Sequence, residues 1–238
     1  MLSFIVPAYN EAQHLQRTLR AIHDAARAVS QPYEIVVAND ASTDATRDIA
    51  LLCGAEVVDV SHRQIAATRN SGARAARGEV LLFVDADTQI STAVLRSVLG
   101  ALRDGAIGGG AHVLFDGVVR WQYRPVMWIG TATSRLARLA FGCFVFCTRD
   151  AFDAVGGFDE ELYASEEISF SRALKRLGRF VILRESVLTS GRKLRAHSAR
   201  EVWRALGHAA LQMLGRRRGR HGLDAWYGSR RRDPGAPP

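Results

Sequence analysis

Read for polarity alone, the first hundred residues alternate between two rhythms. Short apolar runs, LSFIVPA (2–8), YEIVVAND (33–40), EVVDV (56–60) and EVLLFVDAD (79–87), are separated by longer stretches whose apolar residues recur every three or four positions. The runs predict buried strands and the longer stretches predict helices. Leu15, Leu19, Ile22 and Ala26 keep one helical face, and Asn10 with Gln13 has the spacing of a capping box at its start. Ser42 or Thr43 is placed to cap a helix through DATRDIALLCG that Gly54 closes. RQIAATRNSGARAARG predicts a helix of closely packing alanines stopped at Gly78, and STAVLRSVLGALRDG predicts one with Val94, Val98 and Leu102 in register. Strands alternating with helices of this length predict an α/β fold with a parallel sheet covered on both faces.

The second half is less regular. GGGAHVLFDG (108–117) reads as a strand entered through glycines, and CFVFCT (143–148) as another, followed by a short helix and the turn GGFDEE (156–161). ASEEISFSRALKRLG predicts a helix and RFVILRESVL a strand with a connecting segment. SAREVWRALGHAALQML predicts an amphipathic helix, with Ser198 and Glu201 as a capping box and Val202, Leu206, Ala209 and Met213 on its apolar face. RPVMWIGTATSRLARLAFG (124–142) mixes apolar residues with arginines and suits either a lid over an acceptor or core.

The chain has 238 residues, enough for one large domain or one domain with an extension, and its 47% hydrophobic and 24% charged content is ordinary for a globular protein. No apolar run is long enough to span a bilayer, and the N-terminal segment lacks the basic leader of a signal peptide. Cys53, Cys143 and Cys147 are too few and scattered for a disulfide framework or zinc site, so free thiols in the cytoplasm are expected. The net charge of +8 is unevenly distributed: residues 1–183 carry 19 Lys/Arg against 20 Asp/Glu, residues 184–238 carry 13 against 4. The basic surplus sits mainly in GRRRGR (215–220) and SRRR (229–232), which suit either a solvated, partly disordered tail or peripheral contact with an anionic membrane at its inner face. Specific nucleic-acid binding is not expected of such a tail; its binding would be salt-dependent without sequence preference.

In an open α/β sheet, ligands lie beyond the carboxyl ends of the strands. That places PAYNE, NDAST and DADT together. Asp85 and Asp87 stand two apart, and on an extended chain they would point to the same side. Their mutual repulsion would be relieved by a hard divalent cation completed by diphosphate and water. Equally, Asp87 and Thr88 are ordinary turn residues. Asp40 suits a base or ribose, though Ser42, Thr43 and Asp44 beside it are ordinary helix caps. Arg69 suits a nucleotide, or a surface carboxylate.

The ordered set SFIVPAYNE, EIVVANDASTDAT, ATRNSGARAARGEVLLFVDADT and GGFDEE, with Glu166-Glu167 following, resembles the family 2 glycosyltransferases over residues 1–185. The resemblance implies the GT-A fold: a Rossmann-like, mixed but mostly parallel sheet with helices on both faces, here with a C-terminal amphipathic helix and basic tail. It implies a domain over 1–195, divided into a nucleotide-binding half (1–90) and an acceptor and catalytic half (91–195), with 196–238 as extension. By resemblance, Ala8, Tyr9, Glu11, Asp40 and Arg69 bind the nucleotide, Asp85 the ribose side, and Asp87 a Mn2+ or Mg2+ ion on the diphosphate. The family's later acidic pair, usually Glu-Asp, supplies the base; here it is Glu166-Glu167, leaving either residue as base or both as helix-dipole partners. Arg192, Lys193 and Arg195 of TSGRKLRAHS would fold over the diphosphate, with His197 as a further contact or metal ligand, unless this is a solvated basic loop. Gly108 to Gly110 and the Gly156-Gly157 turn would admit the sugar, or make tight turns.

The implied activity is inverting, metal-dependent transfer of a sugar from a nucleotide-diphosphate sugar to an acceptor hydroxyl. A lipid-linked acceptor fits the basic tail. The Q-x-x-R-W motif and membrane helices of processive members are absent, so a single addition is expected. The altered acidic pair also admits a catalytically degenerate scaffold that binds a nucleotide sugar or partner. A dinucleotide oxidoreductase is disfavoured because PAYNE replaces the G-x-G-x-x-G turn, and a nucleotidyltransferase because its glycine-rich start is missing.

Overall fold

The computed structural model describes residues 1–117, 139–140, 142–196 (the backbone alone at Lys193), 198, 200–201, 203–204 and 207–208. The alternating half builds β1 (Leu2–Ala8), α1 (Leu15–Ala28), β2 (Tyr33–Asp40), α2 (Thr46–Leu52), β3 (Glu56–Val60), α3 (Ile65–Ala75) and β4 (Val80–Val84). A two-residue strand β5 (Thr88–Gln89), α4 (Thr92–Arg103) and β6 (Ala106–Phe115) follow. Then come β7 (Phe144–Thr148), α5 (Arg149–Val155), α6 (Glu166–Leu177), β8 (Arg179–Thr189) and α7 (Arg192–Ala196).

All eight strands form one sheet in the order β3-β2-β1-β4-β7-β6-β8-β5. β3, β2, β1 and β4 run parallel, as the crossover helices require. β7 enters antiparallel between β4 and β6, β6 pairs parallel with β8, and β5 closes antiparallel on β8. The sheet is therefore mixed, as expected. Side chains alternate across it: Phe4 and Val6 join Leu19, Ile22, Val94 and Val98 beneath α1 and α4. Ile5 joins Ala66, Ala73, Phe152, Phe170 and Leu174 beneath α3, α5 and α6.

Gly54 follows α2 with φ of 76°, and Ser198 and Glu201 exchange bonds at 2.8 and 3.4 Å, both as expected. Ser91 also caps α4, accepting from the Val94 N–H at 3.3 Å. Three expectations need correction. α1 begins at Leu15 with no side-chain cap, because Asn10 instead accepts from the Thr43 N–H at 2.8 Å, across the loop after β2. α2 lacks the Ser42 or Thr43 cap, since Ser42 accepts from the Asn10 N–H at 3.0 Å. α3 ends at Ala75 rather than at Gly78, and Arg149 caps that end, donating to Gly78 O at 2.8 Å and Ala76 O at 2.7 Å.

Gly108, Gly109 and Gly110 also have a different use. They lie within β6, where a Cβ on Gly109 would sit 2.6 Å from the Phe146 ring, and one on Gly110 2.7 Å from the Ala140 methyl. They make room for core packing instead of for a sugar. Much of the lid-or-core segment, His197, the apolar face Val202, Leu206, Ala209 and Met213, and the arginine tail lie outside the described residues. Among the described residues no helix is long and apolar enough to cross a membrane.

Candidate active site

The loops after β1, β2, β3 and β4 meet at the carboxyl end of the sheet. The first two are stitched together. Besides the Asn10 bonds, the Glu11 N–H donates to Thr46 Oγ1 at 2.7 Å and the Ala12 N–H to Asp44 Oδ2 at 3.2 Å. Asn10, Ala41 and Arg63, which follow β1, β2 and β3, have φ of 50°, 54° and 51°; Ser165, just before α6, has 65°. Left-handed backbone at non-glycine residues costs energy and gathers where function requires it.

Asp40 ends β2 and is buried. Its Oδ1 accepts from the N–H groups of His62 and Arg63 at 2.8 and 2.9 Å, its Oδ2 from Gln64 N–H at 3.2 Å and Thr68 Oγ1 at 2.9 Å. The carboxylate thus organises the approach to α3. That loop lays the Arg63 guanidinium 3.5 Å from the centre of the Tyr9 ring, next to Ala8, the last residue of β1.

The D-A-D stretch is not extended. The Thr88 N–H returns to Asp85 O at 2.9 Å, making a turn between β4 and β5. The two aspartates consequently do not share one cation; each meets its own arginine. Arg69, 2% exposed, donates to Asp85 Oδ1 at 2.8 Å, Glu167 Oε1 at 2.8 Å and Glu166 Oε1 at 3.2 Å. Burial acts to lower the Arg69 pKa, but the attraction of Glu167, Asp85 and Glu166 outweighs it and leaves the pKa raised. Burial, then the neighbouring charge of Glu167, pushes Glu166 up to about 8. The Glu166 side chain is 4% exposed and that of Glu167 11%. Both stand in the first turn of α6, where the helix dipole favours negative charge.

Asp87 is held from the other side. Its Oδ1 accepts from Thr189 Oγ1 at 3.3 Å, at the end of β8, and its carbonyl accepts from the Ser190 N–H at 3.1 Å. Arg192, opening α7, donates to Asp87 Oδ2 at 3.0 Å and to Glu11 Oε1. Burial opposes a positive Arg192, yet Glu11 and Asp87 hold its pKa above the ordinary value. Arg195 turns away to Asp116, bonding the carbonyl at 2.6 Å. The Lys193 side chain and His197 lie outside the described residues.

The arrangement therefore brings Glu11, Asp85, Asp87, Glu166 and Glu167 to one end of the sheet with Arg69 and Arg192 between them. The donors at Asp87 are hard carboxylate oxygens that already accept a cationic group, which fits Mn2+ or Mg2+. Cys143 offers no competing thiolate, since burial pushes its thiol up to about 12. Among the described residues no three His, Cys, Asp or Glu gather into a cation cage. Sequence reasoning missed Thr189, Arg63, Gln64 and Asn70. All four stood within quoted stretches, but the bonds that bring them to the site depend on tertiary structure.

Residues 3–157 match the sequence family described as Glycosyl transferase family 2. Validoxylamine A glucosyltransferase of Streptomyces hygroscopicus subsp. jinggangensis is 34% identical over 108 residues, covering 42% of this chain and 25% of the relative. The undecaprenyl-phosphate 4-deoxy-4-formamido-L-arabinose transferase of Pseudomonas fluorescens Pf-5 is 35% identical over 96 residues, covering 37% and 28%. The match thus spans about a quarter of the length of these relatives. Among solved structures, the mannosyltransferase PcManGT from Pyrobaculum calidifontis in complex with GDP-Man and Mn2+ superposes with a TM-score of 0.69 at 18% identity, covering 95% of this chain and 67% of that one. The likeness shows the GT-A fold.

Proposed function

This chain belongs to glycosyl transferase family 2, and we propose that it performs inverting, metal-dependent, single transfer of a sugar from a nucleotide-diphosphate sugar to an acceptor hydroxyl. The observation that carries the reading is the Arg69 network. One buried guanidinium joins Asp85, which we assign to the ribose, to Glu166 and Glu167, the pair we assign to the base. That coupling supports a site that does chemistry over a scaffold that only binds.

In the proposed assignment Tyr9 and the loop fixed by Asp40 receive the base, with Ala8 at their floor, and Asp85 faces the ribose. Asp87 would hold Mn2+ or Mg2+, which when bound neutralises charge on the departing diphosphate. Arg192 turns from Glu11 and Asp87 to donate to diphosphate oxygens. Glu167 is the base. Its side chain is 11% exposed against 4% for Glu166, so it is the member of the pair more open to an acceptor. The acceptor oxygen bonds to the anomeric carbon from the face opposite the departing diphosphate. The anomeric C–O bond breaks, its electron pair leaves with the diphosphate, and the hydroxyl proton passes to Glu167.

For the acceptor we put forward a lipid-linked hydroxyl, the lipid link being supported by the undecaprenyl-phosphate named in a relative. The basic tail would add peripheral contact with an anionic membrane. The separate variants Glu167→Gln and Glu166→Gln test the base. Glu167→Gln should lose about 10²–10⁴-fold in kcat, the usual worth of a positioned base, while Glu166→Gln keeps most of its rate. Normal turnover in Glu167→Gln contradicts the assignment.

A further inference from the structure

Glu166 and Glu167 are reached along a loop, 158–162, that hangs on α3 by side-chain amides. Asn70 Nδ2 donates to Phe158 O at 2.9 Å and to Glu160 Oε1 at 2.8 Å, while its Oδ1 accepts from the Phe158 N–H at 2.9 Å. Gln64 Nε2 donates to Glu160 O and to Leu162 O at 3.0 Å. Both amides are buried. The loop is shaped to admit Asn70: Gly157 has φ +82°, and a Cβ there would lie 2.7 Å from Asn70 Oδ1.

The same two residues belong to the donor half. Gln64 donates its N–H to Asp40 and caps α3 by accepting from the Ala67 N–H at 2.9 Å. Asn70 adjoins Arg69, which grips Asp85 and both glutamates. α3 therefore fixes the acidic pair twice, by charge through Arg69 and by backbone through Asn70 and Gln64. An amide suits the second task because it donates and accepts at once; a carboxylate cannot donate when ionised, and a hydrocarbon does neither.

We infer that Asn70, together with Gln64, is a positioning residue for the acidic pair: it acts through the backbone of 158–162 to set Glu167 against the donor site. The inference rests on the reading of Glu167 as base. A misplacement of about 1 Å can cost on the order of a hundredfold in rate, so a clamp of this kind has a measurable effect.

The test uses the full chain with Mn2+ and UDP-glucose or GDP-mannose, whichever raises the melting temperature more. Sugar release to water is followed kinetically, and amide exchange over 158–169 by mass spectrometry. Asn70→Ala should lower kcat about 10–100-fold with KM within about twofold, and should speed exchange from Phe158 into the first turn of α6. Asn70→Asp sets a carboxylate against Glu160. Adding Glu160→Gln restores a donor to that contact and should recover part of the rate that Asn70→Asp loses, the Phe158 carbonyl still lacking its donor. If Asn70→Ala fails to fold, Gln64→Glu carries the same kinetic and exchange expectations, since it keeps the acceptor for Ala67 and removes the donors to the loop. A kcat within twofold of the parent, a loss appearing mainly in KM, or unchanged exchange at α6 overturns the inference. The two readings fail separately. If Glu166→Gln and Glu167→Gln both turn over normally, the base assignment falls while the exchange result still stands. If Glu167→Gln is inactive and Asn70→Ala is not, the positioning role alone falls.

Discussion

At the scale of single residues, the site depends on how few cations serve how many carboxylates. Arg69 is buried against Asp85, Glu166 and Glu167, so its removal strands three acidic groups at once. Breaking a buried ion pair from one side costs about 3–5 kcal/mol. Arg69→Leu should therefore lose roughly that much stability in urea unfolding, with nucleotide-sugar turnover abolished. A loss below about 1 kcal/mol, the usual worth of a surface pair, would mean that the network is looser than its distances imply. The carboxylates themselves were legible in the sequence, as residue types at strand ends. Their pairing was not: nothing along the chain says that Asp85 and Asp87 part company at a turn, or that Arg192 stands 105 positions from the Asp87 it bonds.

At the scale of elements, the polarity pattern predicts the strands and helices well because period reports which face is buried. It fails at ends that are satisfied from elsewhere. Asn10 is drawn to the loop after β2, and Arg149, from α5, caps α3. The packing of α3 on β1 is a consequence of Gly72. A Cβ at that position would lie 2.6 Å from Ile5 Cγ2, which is a core atom of the sheet. Gly72→Ala would gain about 1 kcal/mol in helix propensity. Overpacking a well-filled core costs about 1–3 kcal/mol, and the β-branched Ile5 has little freedom to yield. The expected result is net destabilisation in urea, with reduced turnover because α3 carries Arg69, Asn70 and the Gln64 cap. A Gly72→Ala variant more stable than the parent would contradict this packing.

At the scale of the whole molecule, parallel strands and a ligand site at their carboxyl ends were readable from βα alternation. The insertion of β7 between β4 and β6, and the return of β8 beside β6, depend on long-range pairing and were not. Proton linkage also acts on the whole chain. Glu166 has an ordinary value of 4.5 and is pushed up to about 8 in the folded protein. Between those values the folded state keeps a proton that the unfolded state has released, so this group's contribution to stability falls as pH rises. Glu166→Gln removes the titration. Its melting temperature should decline less than the parent's from pH 5 to pH 8; parallel curves would show that Glu166 titrates normally.

The central proposal is that the carboxyl end of the sheet binds a nucleotide diphosphate through a cation on Asp87. Calorimetric titration of the full chain with UDP and GDP, with Mn2+ or with chelator, compared with Asp87→Ala, tests it most directly. One nucleotide should bind only with Mn2+, and Asp87→Ala should remove this binding while melting as cooperatively as the parent. Equal affinity in chelator, or unchanged Mn2+-dependent binding in Asp87→Ala, would contradict it.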